Sequence, residues 1–142
     1  MEKKKEYIEK LRESGLRPTK QRIKICDVLF NRESTFHFSI SDLIKQIQNT
    51  DEKTISLATV YNTVHAFKKK GYLKEIALEG NKTHYDTNTS IHHHFYDEDT
   101  ERLIDINDDA ISVSNIPNAP SNKSIKGVEV LIRLANDYHK QK

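Results

Sequence analysis

The chain has 142 residues, 35% of them hydrophobic and 31% charged, with one cysteine, no tryptophan and a formal charge of +2. That length accommodates one ordinary domain or two very small ones sharing an interface, and the spread of apolar residues argues for a modest core rather than wholesale disorder. No run of about 18 apolar residues exists, so no transmembrane helix is expected. The charged N-terminus MEKKKEYIEKLRE lacks the apolar stretch of a secretory signal. A lone Cys26 excludes a disulfide framework and a multi-thiolate zinc site within one chain, and makes the cytoplasm the expected compartment.

The small net charge conceals an asymmetry. Residues 1–90 carry 17 Lys/Arg and 12 Asp/Glu, whereas residues 91–142 carry 6 and 9. A basic front and an acidic back suggest two jobs. In chain order, Lys3–Ser14 places Tyr7, Ile8 and Leu11 at helical spacing, with Gly15 past the end. Pro18 and Thr19 start a second helix, with Ile23, Cys26 or Val28, and Phe30 on its periodic face. Phe36–Ile40 reads as a connector, Ser39 or Ser41 caps a short helix that turns Leu43, Ile44 and Ile47 inward, and Asn49–Thr54 reads as polar loop. Ser56 is a good N-cap for the clearest helix, whose Leu57, Val60, Tyr61, Val64 and Phe67 form one apolar stripe. Lys68, Lys69 and Lys70 suit its last turn and Gly71 its stop.

Tyr72–Leu78 reads as a strand, Glu79–Asn81 as a turn and Lys82–Thr87 as a returning strand. Helices followed by such a hairpin predict a winged helix. The polar Thr87–Ser90 stretch marks a hinge, giving domains at 1–87 and 88–142. After it, His92–Tyr96 and Arg102–Ile106 read as paired strands around a turn at Asp97–Glu101. Asn107–Asn122 is irregular, with Pro117 and Pro120, and Val128–Leu134 is a third strand. So small a three-stranded sheet can hardly stand alone, and pairing with a second copy would cover its edges. The expected class is α+β: an N-terminal winged helix-turn-helix DNA-binding domain, then a small α/β dimerisation domain that makes the chain a homodimer.

In a helix-turn-helix, the second helix presents its N-terminal residues to base edges in the major groove. Ser56, Thr59, Tyr61, Asn62 and Thr63 crowd that end, where hydroxyls and amides can bond phosphates or bases and an aromatic ring can meet a thymine methyl. Arg17, Lys20, Arg22, Lys68–Lys70 and Lys82 could neutralise phosphates of a double-stranded operator. Lys68–Lys70 would equally serve as a solvated helix end, and Tyr61 as a core residue with its hydroxyl at the surface.

Seven histidines include three in a row. On a strand His92 and His94 share one face and His93 takes the other. If Asp99-Thr100 is the hairpin loop, His94 stands directly opposite Asp105, with Cβ atoms roughly 4.5–5.5 Å apart. Imidazole and carboxylate at that spacing suit zinc, iron or manganese; a register slip of one residue would undo the pair. His37 in the connector and Asp86 at the end of the wing could complete a site with His92 or His94 and Asp105. Such an ion would tie both domains together and set the angle between the DNA-reading parts of a dimer. The competing reading is an exposed histidine tract that binds metal incidentally. His65 and His139 read as plain surface or core residues, and His84 as solvent-facing.

Gly15-Leu16-Arg17-Pro18-Thr19-Lys20-Gln21-Arg22, Leu57-Ala58-Thr59-Val60-Tyr61, His92-His93-His94 and Leu103-Ile104-Asp105-Ile106 resemble, in this order, the Fur family of metal-responsive transcription regulators. The resemblance implies a winged helix, a dimerisation domain and a regulatory metal site of His37, Asp86, His92, His94 and Asp105, with Asp at 86 and 105 where the family mostly has Glu. It gives Tyr61 a base-contacting role and Arg17 a place near DNA, and it marks Asn62 as a departure from the usual Arg. Asp97-Glu98-Asp99-Thr100 replaces a Cys-x-x-Cys. The second site of the family's dimerisation domain looks dismantled, with Ser112 and roughly Gly127 at its ligand positions, and the usual amphipathic helix after Asp105 is missing. Three consecutive histidines without the cysteine pair look like the Irr (iron response regulator) subgroup, which implies haem as an effector, with His92, His93 and His94 as candidate ligands; Cys26 is not followed by Pro. The expected function is a metal- or haem-gated repressor of iron- or haem-responsive genes. Within the family, ferrous-iron, manganese, zinc and peroxide sensors, the last through metal-catalysed oxidation of a histidine, use the same ligands. A small non-haem metalloenzyme and a metal-buffering adaptor are alternatives from other classes; the expectation is that the chain is not an enzyme and has no membrane partner.

Overall fold

The first helix, α1 (Glu2–Glu13), turns only Tyr7 and Leu11 into the interior and leaves its Lys/Glu-rich flank in water. In the computed structural model, which describes residues 2–50, 55–80 and 82–137, the chain divides into two compact units, 1–89 and 90–142.

In the first unit, the Thr19 hydroxyl accepts the Arg22 amide at 3.3 Å and opens α2 (Lys20–Phe30). This helix buries Ile25, Cys26, Val28 and Leu29, whereas Ile23 and Phe30 are only partly buried. The expected single face is displaced because α2 packs against three helices at once, so adjacent positions are covered on both sides. The expected connector is a strand: β1 (His37–Phe38) pairs antiparallel with β3 (Lys82–Asp86), which also pairs with β2 (Lys74–Leu78). Two residues are too few to show alternation, and the rings of Phe36, Phe38 and Tyr85, stacked in sequence at 5.1 and 5.6 Å, hold the short strand in place. His84, opposite Ile76 on the wing, is buried rather than solvent-facing.

Ser39, not Ser41, caps α3 (Ile40–Thr50). Its hydroxyl accepts the Asp42 amide at 3.1 Å, and the Asp42 carboxylate accepts the Ser39 amide at 3.0 Å, a reciprocal box. Leu43 and Ile47 point inward, and Asn49 and Thr50 are helical rather than loop. Residues 51–54, expected as polar loop, and His139 lie outside the described residues.

Helix α4 (Leu57–Lys70) begins where Ser56 accepts the Thr59 amide and ends at Gly71, whose φ of +96° only glycine adopts cheaply. Val60, Thr63, Val64 and Phe67 are buried, while Leu57 and Tyr61 are 55% and 42% exposed. Thus two members of the expected stripe lie on the water side and Thr63 lies inside. Thr63 is tolerated there because its hydroxyl donates to the Thr59 carbonyl at 2.7 Å. Val60, Val64 and Phe67 join Leu11, Ile25, Leu29, Phe38 and Leu43 in one core.

The second unit is a sheet ordered β5-β4-β6. β4 (His93–Asp97) and β5 (Arg102–Ile106) pair antiparallel with His94 opposite Asp105, the register anticipated above. The loop is wider than two residues: Asp97 pairs with Arg102, and Glu101 takes φ +58°. The Asp97 carboxylate accepts the Asp99 and Thr100 amides at 3.0 and 3.3 Å, which shapes the turn. β6 (Leu131–Leu134) runs parallel to β4 and starts three residues later than expected; between β5 and β6 lie a 3₁₀ turn at Asp108–Ala110 and irregular chain. The fold is mixed α+β. No helix among the described residues is long and apolar enough to cross a membrane.

Phe67 is fully buried at the centre of the first unit, so Phe67→Ala is expected to cost about 3–5 kcal/mol. Chemical denaturation of the full chain would measure this, and a midpoint unchanged from wild type would contradict the packing described.

Candidate metal centre and nucleic-acid interface

Each unit holds its own group of metal-capable side chains. In the first, the ladder sets His37 opposite Asp86, with Nε2 to Oδ2 at 3.1 Å. Asp86 is wholly buried, and its other oxygen accepts the Asn88 amide at 2.8 Å. Burying a carboxylate is costly unless charge and hydrogen bonds compensate it. The pair is therefore held by backbone register rather than by flexible loops.

In the second unit His92 and His94 flank one residue on one face of the sheet, their rings 4.4 Å apart. The Nε2 atoms of both lie 3.2 Å from the same oxygen of Asp105. Both imidazoles are buried, and the carboxylate is partly open. His92 Nδ1 lies 2.8 Å from the Ser90 carbonyl, which can only accept, so Nδ1 carries the hydrogen and donates it. A neutral His92 then turns the lone pair of Nε2 toward a carboxylate oxygen. Two acceptors facing each other require a cation between them, either a proton or a metal ion. The residues present therefore fit a divalent ion: a ring nitrogen fixed in its ligating tautomer by a carbonyl behind it, a second imidazole beside it and a carboxylate in front.

His93 behaves differently. Its Nδ1 accepts the Val130 amide at 2.9 Å, so its Nε2 carries the hydrogen and donates to Asp108 at 3.0 Å. Both nitrogens are engaged, and the ring is 2% exposed. His93 thus pins β4 to the chain entering β6, a role that strand alternation alone could suggest, although its partners could not be inferred. Haem ligation by His93 would require breaking both bonds, and His92 and His94 already face Asp105. Cys26 is buried and its thiol is pushed up to about 12 by desolvation, which leaves it unreactive.

The expected DNA-binding residues fall into two groups. Tyr61 and Asn62 are exposed on α4, as are Arg17 and Lys20 near the start of α2. Arg22 instead folds back, its guanidinium donating to the Arg17 carbonyl at 3.0 Å, and so braces the turn before α2. Ser56 and Thr59 spend their hydroxyls on one another at 2.7 Å while capping the helix. Leu57, expected on the apolar stripe, and His65, expected as a plain surface or core residue, both lie on the exposed face, where His65 stacks on Tyr61 at 6.2 Å and 22°. Charge gives α4 its polarity, with no acidic residue in its first turn and Lys68–Lys70 in its last.

His93→Phe keeps a flat ring but leaves the half-buried Val130 amide without its acceptor. A loss of about 1–3 kcal/mol is expected. An unaltered thermal midpoint would show that the two bonds do not hold the sheet.

Residues 13–132 match the model of the Ferric uptake regulator family. Over 101 residues, 71% of this chain and 68% of the relative, the sequence is 34% identical to the peroxide operon regulator of Bacillus subtilis (strain 168). Over 100 residues, 70% of this chain and 66% of the relative, it is 34% identical to the peroxide-responsive repressor PerR of Staphylococcus aureus (strain Mu50). Among solved structures, the ferric uptake regulator of Vibrio cholerae superposes with a TM-score of 0.70 at 23% identity, over 91% of this chain and 98% of that one. That of Pseudomonas aeruginosa with manganese superposes at 0.67 and 22% identity, over 92% and 97%. These two likenesses speak for the fold. The chain belongs to the Ferric uptake regulator family of metal-responsive transcription regulators, which are not enzymes.

Proposed function

We propose that this chain is a cytoplasmic, homodimeric, metal-gated repressor that binds a double-stranded operator through α4. The observation that carries this reading is the pair of imidazole nitrogens aimed at one oxygen of Asp105, with the His92 tautomer set by Ser90. In this reading His37 and Asp86 supply the remaining donors, so that three imidazoles and two carboxylates serve one divalent ion. Two carboxylates neutralise a dication, and mixed nitrogen and oxygen donors suit iron, manganese or zinc. When bound, the ion supplies the charge that draws both donor groups to one point. Joining a donor pair from residues 1–89 to a triad from residues 90–142 would select one interdomain angle, and only one angle matches the spacing of two half-sites on DNA.

The second unit supports pairing with another copy. The row Ile104–Phe95–Ile132 runs across its sheet, and Ile104, Leu131 and Ile132 are 49%, 37% and 37% exposed. Exposed apolar side chains on edge strands favour burial against a partner.

For the signal, the relatives at 34% identity, named as peroxide regulators, favour a peroxide response. In that reading His37, His92 or His94 would hold ferrous iron, which would supply the electron for reductive cleavage of the peroxide O–O bond, and the histidine beside it would take up one peroxide oxygen and no longer ligate as before. The haem response expected of an Irr-like protein has less behind it, because both nitrogens of His93 are taken and His92 and His94 face a carboxylate.

Purified full-length protein is expected to bind close to one equivalent of Mn²⁺ or Fe²⁺ per chain, with affinity reduced about 10–100-fold or more in His92→Ala, Asp105→Asn and Asp86→Asn. Wild-type metal content in all three would refute the ligand set. Tyr61→Ala is expected to weaken operator binding about tenfold at fixed salt while the dimer persists in sedimentation. Unchanged mobility shifts would remove Tyr61 from the interface. Fe²⁺-loaded protein exposed to peroxide is expected to gain an oxygen atom on a ligand histidine, seen by peptide mass, and to lose operator binding. A haem titration that releases DNA, with no such oxidation, would replace peroxide by haem as the signal.

A further inference from the structure

His93 stands between His92 and His94 in sequence, yet strand alternation sends its ring to the other face of the sheet. One of its nitrogens accepts the Val130 amide at 2.9 Å and the other donates to Asp108 at 3.0 Å. These two partners are the two ends of one connection: Asp108 lies two residues past β5, and Val130 immediately precedes β6. Residues 111–130 form no helix or strand, so a connection of this length has no ladder of its own to hold its ends. The ring of His93 holds both.

Each partner leads back to a metal-capable side chain. The Val130 peptide donates its N–H to the His93 ring, and its carbonyl accepts the His94 amide at 3.1 Å. Any shift of that peptide therefore moves His94. On the other flank His93 pairs with Ile106 in the ladder while its ring bonds Asp108, two residues further on. This closes a small loop of chain around Ile106, and the residue before Ile106 is Asp105. The Asp105 side chain is partly open to water, so its place is set by the backbone that carries it rather than by close packing.

We infer that His93 is a positioning residue for the metal centre: by gripping Val130 and Asp108 from one face of the sheet, it fixes the backbones that present His94 and Asp105 on the other. The inference rests on the reading of His92, His94 and Asp105 as metal ligands. Donors must be held to within about 0.5 Å for a metal site to keep its affinity, and residues behind the ligands supply that precision. Here two imidazoles on one strand converge on a carboxylate of the next, so their geometry is only as exact as the pairing of β4 with its neighbours.

The experiment compares full-length wild type with His93→Asn, Asp108→Ala and His93→Leu. Each is titrated with Mn²⁺ for affinity and with Co²⁺ for visible absorption, which reports ligand geometry, at a temperature where circular dichroism shows the protein folded. Asparagine places its carbonyl oxygen where Nδ1 stands, so His93→Asn keeps the Val130 bond and loses Asp108, and Asp108→Ala removes the same bond from the other side. These two are expected to bind Mn²⁺ about three- to tenfold more weakly, and alike. His93→Leu, which keeps neither bond, is expected to lose about tenfold or more and to shift the Co²⁺ bands although no ligand has been removed. A folded His93→Leu protein with wild-type Mn²⁺ affinity and a wild-type Co²⁺ spectrum overturns the inference and leaves His93 a purely structural residue. If His93→Leu does not fold, wild-type affinity and spectrum in the other two variants overturn it. Failure of wild type to bind Mn²⁺ overturns the metal-gated reading and the inference with it.

Discussion

A single hydrogen bond organises the chemistry of this protein. The Ser90 carbonyl takes the hydrogen of His92 Nδ1, so Nε2 is left to face Asp105, as a lone pair open to a metal ion or as the N–H of an imidazolium. Without that bond the ring could turn its N–H to the carboxylate and the group would be an ordinary neutral hydrogen-bonded pair. With it, a neutral His92 sets an acceptor against an acceptor, and a cation, a proton or a metal ion, reconciles the two. A carbonyl behind a buried imidazole fixes the tautomer in which the opposite nitrogen can ligate a metal ion. Asp86 shows the same logic, wholly buried, with one oxygen held by the Asn88 amide and the other directed to His37.

The neighbouring His93 shows that residue type does not settle role. It is as buried as His92 and adjacent to it, yet a backbone amide facing Nδ1 forces the other tautomer and directs its N–H to Asp108. One amide and one carbonyl thus sort two consecutive histidines into a structural bond and a candidate ligand. A row of three histidines invites a common explanation such as haem binding, and the hydrogen-bonding partners argue for separate ones.

Much of the fold was legible in the chain. Capping signals at Thr19 and Ser56 and the glycine stop at Gly71 all operate as expected, because caps depend on a few adjacent residues. The wing hairpin and the His94–Asp105 register were also legible, since a turn rich in Asp, Glu and Thr fixes where a short hairpin folds back. The errors arose where packing on more than one side decides exposure. Periodicity could not tell that Leu57 and Tyr61 face water while Thr63 is inside, because a helix covered on only part of its circumference need not bury every apolar residue near its stripe. The two-residue strand at His37–Phe38 was invisible because alternation needs more residues to show.

By itself, the sequence determined the order of the elements apart from β1 and the 3₁₀ turn, the candidate ligands and the family, since these follow from residue types at short spacings and from a motif pattern along the chain. Tertiary structure alone decided which nitrogen of each histidine is available, that Arg22 braces a turn instead of facing solvent, and that α4 offers Leu57, Tyr61 and Asn62 as its outer surface. The reason is physical: a tautomer or an exposed face is set by partners distant in sequence, such as Val130 for His93, and local spacing carries no information about which of them will arrive.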